Sequence, residues 1–513
     1  MRWSRSACRV DLGWGCGDHG WVIEPPPRLG CESCASRDVV LAAQAKAIEE
    51  LTAANARLVE RVAVLERIVG RNSGNSSMPP SSDDLPGRSK PEPKPVKGSG
   101  RKRGKQLGAA GSSLPWVAVP DKHVAHRPHG GCGCGADLAE ATGVRVERSH
   151  QVHDLPEIRI RVWQHDVYRV RCGCGREHVA TLPEEVSSAP CSYGSNLRSL
   201  VVYLLVYQHV PVGRCVELIG DLTGGVGPSS GFVHSMLARC AAAVRPTVTL
   251  IKKLITSASV VGFDETTLRV GPAGHKRYVL SASTEDYTAF HLGGRDLASF
   301  REFGILPGFA GVAVHDRYQN YYNPAWAQLA GHQACTAHLL RDFTDAAESH
   351  PRAAWPEQAQ RALRGLIHAW HDARNTKQTA IAAPIADPLI SEFRHAIRVG
   401  LAEVRPNPGP RSSTAQPPGR TLLEFCRDHE GDVFAFSTDT RIWPTNNLSE
   451  RDLRPSKTQQ KISGRLTSED VTQGRLDIRS YIDTIRKHKA DVITGIRAAL
   501  TGNPWQPPIP VPT

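Results

Sequence analysis

Residues 259–270 read Ser-Val-Val-Gly-Phe-Asp-Glu-Thr-Thr-Leu-Arg-Val, an apolar run that passes directly into Asp264 and Glu265. One strand ending in an acid is ordinary. The design returns, however, in Gly311-Val-Ala-Val-His-Asp-Arg-Tyr318, where small residues and valines lead to Asp316. Two apolar strands that each end in aspartate are the sequence form of carboxylates gathered at one sheet edge. Such a cluster repels itself and raises the pKa values of its members unless a cation neutralises it. Oxygen-only ligands of this kind suit Mg2+ or Mn2+.

Outward from this stretch, Thr267–Val270, Tyr278–Ser283 and Thr288–His291 are strand-like, with turns at Gly271-Pro-Ala-Gly274 and Thr284-Glu-Asp286. A helix is predicted near Asp296–Phe303, before the strand that ends at Asp316. A three-strand meander, a helix and a fourth strand, with Asp on the first and fourth, is the ribonuclease-H-like layout. There the first and fourth strands lie side by side, so Asp264 and Asp316 are expected to share metal. A third carboxylate should come from a later helix. The candidate is Glu450 in Thr445-Asn-Asn-Leu-Ser-Glu-Arg-Asp-Leu-Arg454, with a helix start near Asn446 or Asn447. The 134 residues from Asp316 to Glu450 exceed a minimal fold, which predicts an insertion, mainly helical over 325–405. Glu265 and Asp452 are read as bystanders, because strand and helix periodicity turn them away from Asp264 and Glu450.

The whole chain has 513 residues, which predicts several domains, and 63 Lys plus Arg against 51 Asp plus Glu, a net charge of +12. That excess favours a polyanionic partner, nucleic acid before membrane. The most apolar stretch, Leu197–Val212, is short for a membrane span and is broken by Arg198, Tyr203, Tyr207, Gln208 and His209. Met1–Pro27 lacks the apolar centre of a signal peptide, so a cytoplasmic, nucleoid-associated bacterial protein is expected. Thirteen cysteines in such a chain point to metal binding and buried thiols before disulfides.

Residues 1–35 form an unassigned leader, in which Cys31-x2-Cys34 is a weak zinc signal. From 36 to 71 heptads emerge: Leu41, Ile48, Asn55, Val62 and Val69 at a, with Leu51, Leu58 and Leu65 at d. These predict a coiled coil, and Asn55 at a favours a parallel dimer in fixed register. Residues 72–115 read as a disordered basic linker. Between Arg88 and Lys105 lie eight basic residues and one acid, and Arg101, Lys102, Arg103 and Lys105 are its candidate DNA contacts.

Residues 116–190 read as a β-rich module, with alternation over Val144–Val152 and Ile158–Val170. Two matching knuckles, Cys132-Gly-Cys134-Gly135 and Cys172-Gly-Cys174-Gly175, bracket these runs and predict a structural Zn2+ on Cys132, Cys134, Cys172 and Cys174. Residues 191–256 read as a helical DNA-binding region. The first part of the core is assigned to 257–325, the helical insertion to 326–440, the catalytic C-terminal helical part to 441–490 and a tail to 491–513.

The motifs in their order are recognisable: Asn75-Ser-Ser-Met-Pro-Pro-Ser-Ser-Asp83, Val201-Val-Tyr-Leu-Leu-Val-Tyr-Gln-His209, Gly262-Phe-Asp-Glu-Thr266 and His315-Asp-Arg-Tyr318 come first. Cys335-Thr-Ala-His-Leu-Leu-Arg-Asp342, Thr445-Asn-Asn-Leu-Ser-Glu-Arg451, Lys461-Ile-Ser-Gly464 and Gly502-Asn-Pro-Trp505 follow. From about Ala42 to Pro507 the chain resembles the DDE transposases of the insertion sequence 66 family. The resemblance implies an enzyme that cuts and rejoins DNA at its element's ends, with Asp264, Asp316 and Glu450 as a triad holding Mg2+ or Mn2+. It also implies that the Cys335-x2-His338 segment leads the inserted helices, where it is read as structural, and that accessory proteins of the same element take part. The expected fold is multidomain α+β: a ribonuclease-H-like core with a helical insertion, a coiled coil and a zinc-binding module. Arg454 and Lys457 are expected to contact phosphate. Two other readings remain, a silent DNA-binding descendant of a transposase and a carboxylate-pair glycosidase.

Overall fold

The structure is a computed structural model that describes residues 32–72, 113–183, 186, 189–410 and 414–509. Most of the leader, the whole Arg101–Lys105 cluster and the last four residues of the tail therefore lie outside the described residues, as does Cys31.

The described residues of the first unit form one helix, α1 (Glu32–Gly70), which begins four residues before the expected start. No Gly or Pro interrupts it before Gly70. Leu41, Ile48, Leu51, Leu58, Val62 and Leu65 are all exposed along it. Among the described residues, its apolar stripe thus meets no partner within its own unit.

The second unit, Arg71–Thr513, holds the sheets. Its first ladder is small: β1 (Arg169–Arg171) pairs antiparallel with β2 (Glu177–Val179) around the second knuckle. The expectation of a β-rich module over 116–190 is corrected here. Among the described residues of this segment no other strand forms, and Val146, Val152, Val162 and Trp163 stand exposed. The alternation is present, but there is no second layer for its apolar side to cover, so strand-like sequence stays unpaired.

Four elements follow: α2 (Ser195–Val202), a π turn (Tyr203–Tyr207), α3 (Val212–Leu222) and the long α4 (Ser230–Thr256), capped by the Ser229 hydroxyl. They do not form a separate helical domain. Val201, Leu205, Cys215, Met236 and Val244 share one core with Tyr481, Ile482 and Ile496, which lie near the other end of the sequence.

The central sheet contains β3 (Val260–Leu268), β4 (Arg277–Ser283), β5 (Thr288–Gly293), β6 (Val312–His315) and β7 (Gly331–Ala334), in the order β5-β4-β3-β6-β7. The first three form an antiparallel meander. Helix α5 (Leu297–Phe303) then returns the chain so that β6 runs parallel to β3. The fifth strand, β7, falls within the segment read as helical insertion. Its sequence, Gly-His-Gln-Ala, carries no apolar alternation, and buried Gln333 is instead satisfied by main-chain groups of Ala334, Val433 and Phe436.

Helices α6 (Thr336–Ser349), α7 (Trp355–Asn375), α8 (Ala383–Glu403), α9 (Arg420–Asp428) and α10 (Glu430–Thr438) make the insertion. Its core around Trp355, Phe343 and Phe393 reaches the sheet through Val260, Val314 and Ala334. The chain closes with α11 (Asn447–Ser463), α12 (Glu469–Lys487) and α13 (Val492–Leu500). The opposite sheet face, through Val261, Phe263, Leu280 and Ala313, buries against Phe300, Phe303, Phe309 and Tyr321. Each such side chain contributes about 1.5–3 kcal/mol of burial. The sheet is therefore held on both faces, and its acidic edge is positioned by rigid neighbours.

Candidate active site

Asp264 lies in β3 and Asp316 follows the last residue of β6. The parallel register pairs Gly262 with Val314, so continuing it by two residues on each strand brings Asp264 beside Asp316. Period-2 alternation sends neighbouring side chains to opposite faces. Phe263 packs in the core with Phe309 and Tyr321, and Glu265 accepts from the Tyr321 hydroxyl at 2.6 Å on that same side. Gly262 and Asp264 take the other face, where α11 sits.

Gly262 is what lets α11 approach. A Cβ at this position would stand 2.5 Å from Ser449 Oγ and 2.9 Å from Asn446 Oδ1. Asn446 Nδ2 donates to the Phe263 carbonyl at 2.6 Å, which ties the helix start to β3. Glu450, in the first turn of α11, is thereby carried to the sheet edge. The helix then runs through Pro455 without ending, although an interior proline removes one helical hydrogen bond. Leu453 and Gln459, buried on either side of it, hold the segment in place.

The electrostatics register the meeting of these acids. Burial pushes the Asp264 carboxyl well above its ordinary value of 3.8, and the negative charges of Glu265, Asp316 and Glu450 push it further. Glu450 is raised chiefly by burial, opposed by the cations Arg341 and Arg454, with Asp316 adding to the rise. Glu265 is also raised by burial and by Asp316, against the pull of Arg295. All donors in this cluster are carboxylate oxygens, and they repel one another when ionised. A hard divalent cation suits that donor set.

Several surrounding groups escape sequence reading. Arg295 donates from Nε to Glu265 Oε1 at 2.6 Å and places Nη2 3.4 Å from Asp316 Oδ2. Its guanidinium also stacks over the Tyr318 ring at 3.8 Å. The Tyr318 main-chain N–H donates to Asp316 Oδ1 at 2.8 Å. Arg295 follows Gly293 and Gly294 at the end of β5, so a basic residue in a turn beside the acidic edge was the available signal. Asp452 faces elsewhere, accepting from Ser283, Thr288 and Lys487 at 2.8 Å each.

Of the expected phosphate contacts, Arg454 is exposed on α11. Lys457 instead donates to the Thr267 carbonyl and hydroxyl, both at 3.0 Å. Cys335 and His338, read from sequence as structural, are not alone. The fold supplies a third group, for the ligating atoms of Cys335, His338 and Glu450 all lie within 4.8 Å of one another.

The two knuckles have matching turns: Gly135 N donates to Cys132 O, and Gly175 N to Cys172 O, both at 2.8 Å, with both glycines at positive φ. Within each turn the two thiols interact, Cys134 with Cys132 and Cys172 with Cys174. The four sulfurs are not gathered into one group; among the described residues, Cys335, His338 and Glu450 make up the only metal-ligating cluster of three. No described helix is long and apolar enough to cross a membrane.

Comparison with known families matches residues 190–473 to the family described as Transposase IS66 family. Residues 35–115 match a family of unknown function (DUF6444). No curated protein gives a match to the chain.

Proposed function

Because the chain belongs to the Transposase IS66 family, we propose that it is a divalent-metal-dependent DDE transposase that cleaves DNA at its element's ends and joins those ends to a target, with Asp264, Asp316 and Glu450 as the ligands. The observation that supports this reading is that β3, the end of β6 and the first turn of α11 bring Asp264, Asp316 and Glu450 to one end of the sheet, where Asp316 and Glu450 both raise the Asp264 carboxyl, although the three are not drawn into one ligating group as Cys335, His338 and Glu450 are. The order β5-β4-β3-β6-β7, with an antiparallel meander and a parallel fourth strand, supports a ribonuclease-H-like core. Divalent ions held there supply Lewis-acid stabilisation and an activated water or 3'-hydroxyl for in-line phosphoryl displacement.

The chain's own groups do the positioning. Arg295 fixes the Asp316 carboxylate while Glu265 fixes Arg295, and Tyr318 N–H holds the second Asp316 oxygen. Asn446 anchors the start of α11 and so the place of Glu450. Exposed Arg451, Arg454 and Lys461 on the same helix offer positive charge to phosphate. The remaining parts follow in the same reading: α1 dimerises as a parallel coiled coil, the segment 72–115 contacts DNA without reading sequence, and the knuckles close on structural Zn2+ when it binds.

The test is cleavage and joining of DNA carrying the element's ends in Mg2+ or Mn2+, with the element's accessory proteins supplied. Wild type is compared with Asp264→Asn, Asp316→Asn and Glu450→Gln. Loss of both reactions with DNA binding retained supports the triad. DNA bound but never cut by wild type moves the assignment to a silent DNA-binding descendant.

A further inference from the structure

Cys335 links the end of β7 to the first residue of α6, His338 lies in the first turn of α6, and Glu450 lies in the first turn of α11. The two helix starts are pinned together. Thr336 donates to the Pro444 carbonyl from both its main-chain nitrogen, at 2.9 Å, and its hydroxyl, at 2.7 Å. Asn446 N donates to Cys335 Sγ at 3.2 Å. The three ligating groups thus sit at a fixed junction of two helices.

Within that junction one pair of atoms lacks what its chemistry requires. His338 Nδ1 and Glu450 Oε1 are both buried, stand 3.9 Å apart and have no hydrogen-bond partner. Arg341 Nη2 is also 3.9 Å from Glu450 Oε1, beyond hydrogen-bonding reach. Buried acceptors left facing one another are costly unless a proton or a cation lies between them. The unpartnered His338 Nδ1 offers a ring lone pair to a metal. Sulfur completes the set. The Asn446 N–H already aimed at Cys335 Sγ is the kind of outer bond that steadies a thiolate ligand.

We propose that Cys335, His338 and Glu450 form a thiolate–imidazole–carboxylate site for a borderline-soft divalent ion of the Zn2+ or Co2+ class. Three protein ligands and one open position are the composition of an accessible zinc site. Bonds of about 2.0–2.3 Å put tetrahedral ligands roughly 3.5 Å apart, close to the 3.9 Å that separates His338 Nδ1 from Glu450 Oε1. Binding releases the Cys335 thiol proton to solvent. Glu450 then serves two environments, the soft site and the oxygen cluster of Asp264 and Asp316; this sharing rests on the catalytic reading, whereas the metal site itself does not. Zn2+ in the soft site draws Glu450 away from the carboxylates and inhibits Mg2+-dependent cleavage.

The experiment uses the full chain, stripped of metal, with Cys132, Cys134, Cys172 and Cys174 all changed to Ser so that the knuckles cannot contribute sulfur. Titration with Co2+ should give one equivalent of tightly bound ion with a sulfur-to-cobalt charge-transfer band. Cys335→Ser should abolish the band. His338→Asn and Glu450→Gln should weaken Co2+ binding on the order of tenfold or more, while Asp264→Asn and Asp316→Asn should leave the band in place. Circular dichroism of each variant separates a lost ligand from a lost fold, and the His338 variant carries the test if Cys335→Ser unfolds. Absence of the band in the parent, its persistence in a folded Cys335 variant, or wild-type Co2+ affinity in a folded His338 variant overturns the site. Cleavage that needs the triad but proceeds without any soft-site band would leave the proposed function standing and remove only this inference. A soft-site band in a protein that never cuts DNA would do the reverse.

Discussion

Arg295 donates from Nε to Glu265 Oε1 at 2.6 Å, and the Glu265 side chain is only 1% exposed. A carboxylate that points away from the face of Asp264 is thereby linked to Asp316, because the same guanidinium reaches both acids. Glu265→Ala would leave the buried Tyr321 hydroxyl without its acceptor. Destabilisation of roughly 1–3 kcal/mol is expected by denaturant unfolding. Glu265→Gln keeps the shape and should retain most of the stability, yet lower the cleavage rate by about tenfold through a less firmly held Arg295. Equal activity in Glu265→Gln and wild type would show that Arg295 needs no anchor.

Gly262→Ala tests the seat of α11. The new methyl meets Ser449 Oγ at 2.5 Å and Asn446 Oδ1 at 2.9 Å, so the helix must move or the strand must yield. Overpacking of this kind costs about 1–3 kcal/mol. Activity should fall further than stability, because the displaced element carries Glu450. Adding Ser449→Ala removes the nearest clash and should restore part of both, measurable as a coupling in a double-mutant cycle.

The pH response follows from the raised carboxyls. Asp264 and Glu450 hold protons more tightly folded than unfolded, so their stabilising contribution is complete below their ordinary values of 3.8 and 4.5. It is lost as pH rises through the elevated folded values. Metal-free protein should therefore lose stability from these two groups on going from acid toward neutral pH, and Mg2+ should restore it. Asp264→Asn removes one repelling charge and should stabilise the metal-free protein by about 1 kcal/mol at neutral pH while abolishing cleavage. A thermal melt of that variant at or below the wild-type midpoint would count against the repulsion.

The exposed stripe on α1 carries its own prediction. Leu51→Glu together with Leu58→Glu places charge on the d positions and should convert a dimer to a monomer in sedimentation analysis. Asn55→Ile should strengthen association and admit species larger than a dimer. Unchanged mass in the double glutamate variant would assign dimerisation elsewhere or nowhere.

The proposed electrostatic contact of residues 72–115 with DNA is tested by salt. Replacing Arg101, Lys102, Arg103 and Lys105 with Ala should reduce the slope of log K against log salt by about 3–4 if all four neutralise phosphates. Sequence preference should not change. A slope equal to that of wild type would mean that these charges are merely solvated.

Much of the core was legible because its signals are local. The apolar runs leading to Asp264 and Asp316 mark the first half of β3 and β6, although β3 continues through Asp264 to Leu268 instead of ending there, because Glu265–Leu268 keep pairing with β4; the turn residues between them mark the meander. The helix start near Asn446 was equally readable. Strand β7 was not, because Gly331-His-Gln-Ala334 owes its place to parallel pairing with β6 and to Gln333 meeting main chain near α10. Residues 116–190 failed in the opposite sense. Their alternation is a real local pattern, but most of their apolar side chains remain exposed, and pattern without a facing layer does not make a sheet.

Composition and order of residues by themselves determined the basic balance, the uninterrupted α1, the alternation that sets Asp264 and Glu265 on opposite faces, and the family. These depend on neighbours a few residues apart, whose relation the backbone period dictates. Only the tertiary structure decided that Arg295 would join Glu265 to Asp316, and that Cys335 and His338 would find Glu450. Arg295 reaches Glu265 and Asp316 across strand ends, and Glu450 meets Cys335 and His338 through the packing of α6 and α11, with Gly262 leaving space for α11. No local period encodes that approach, because it is the minimum of many long-range contacts acting together.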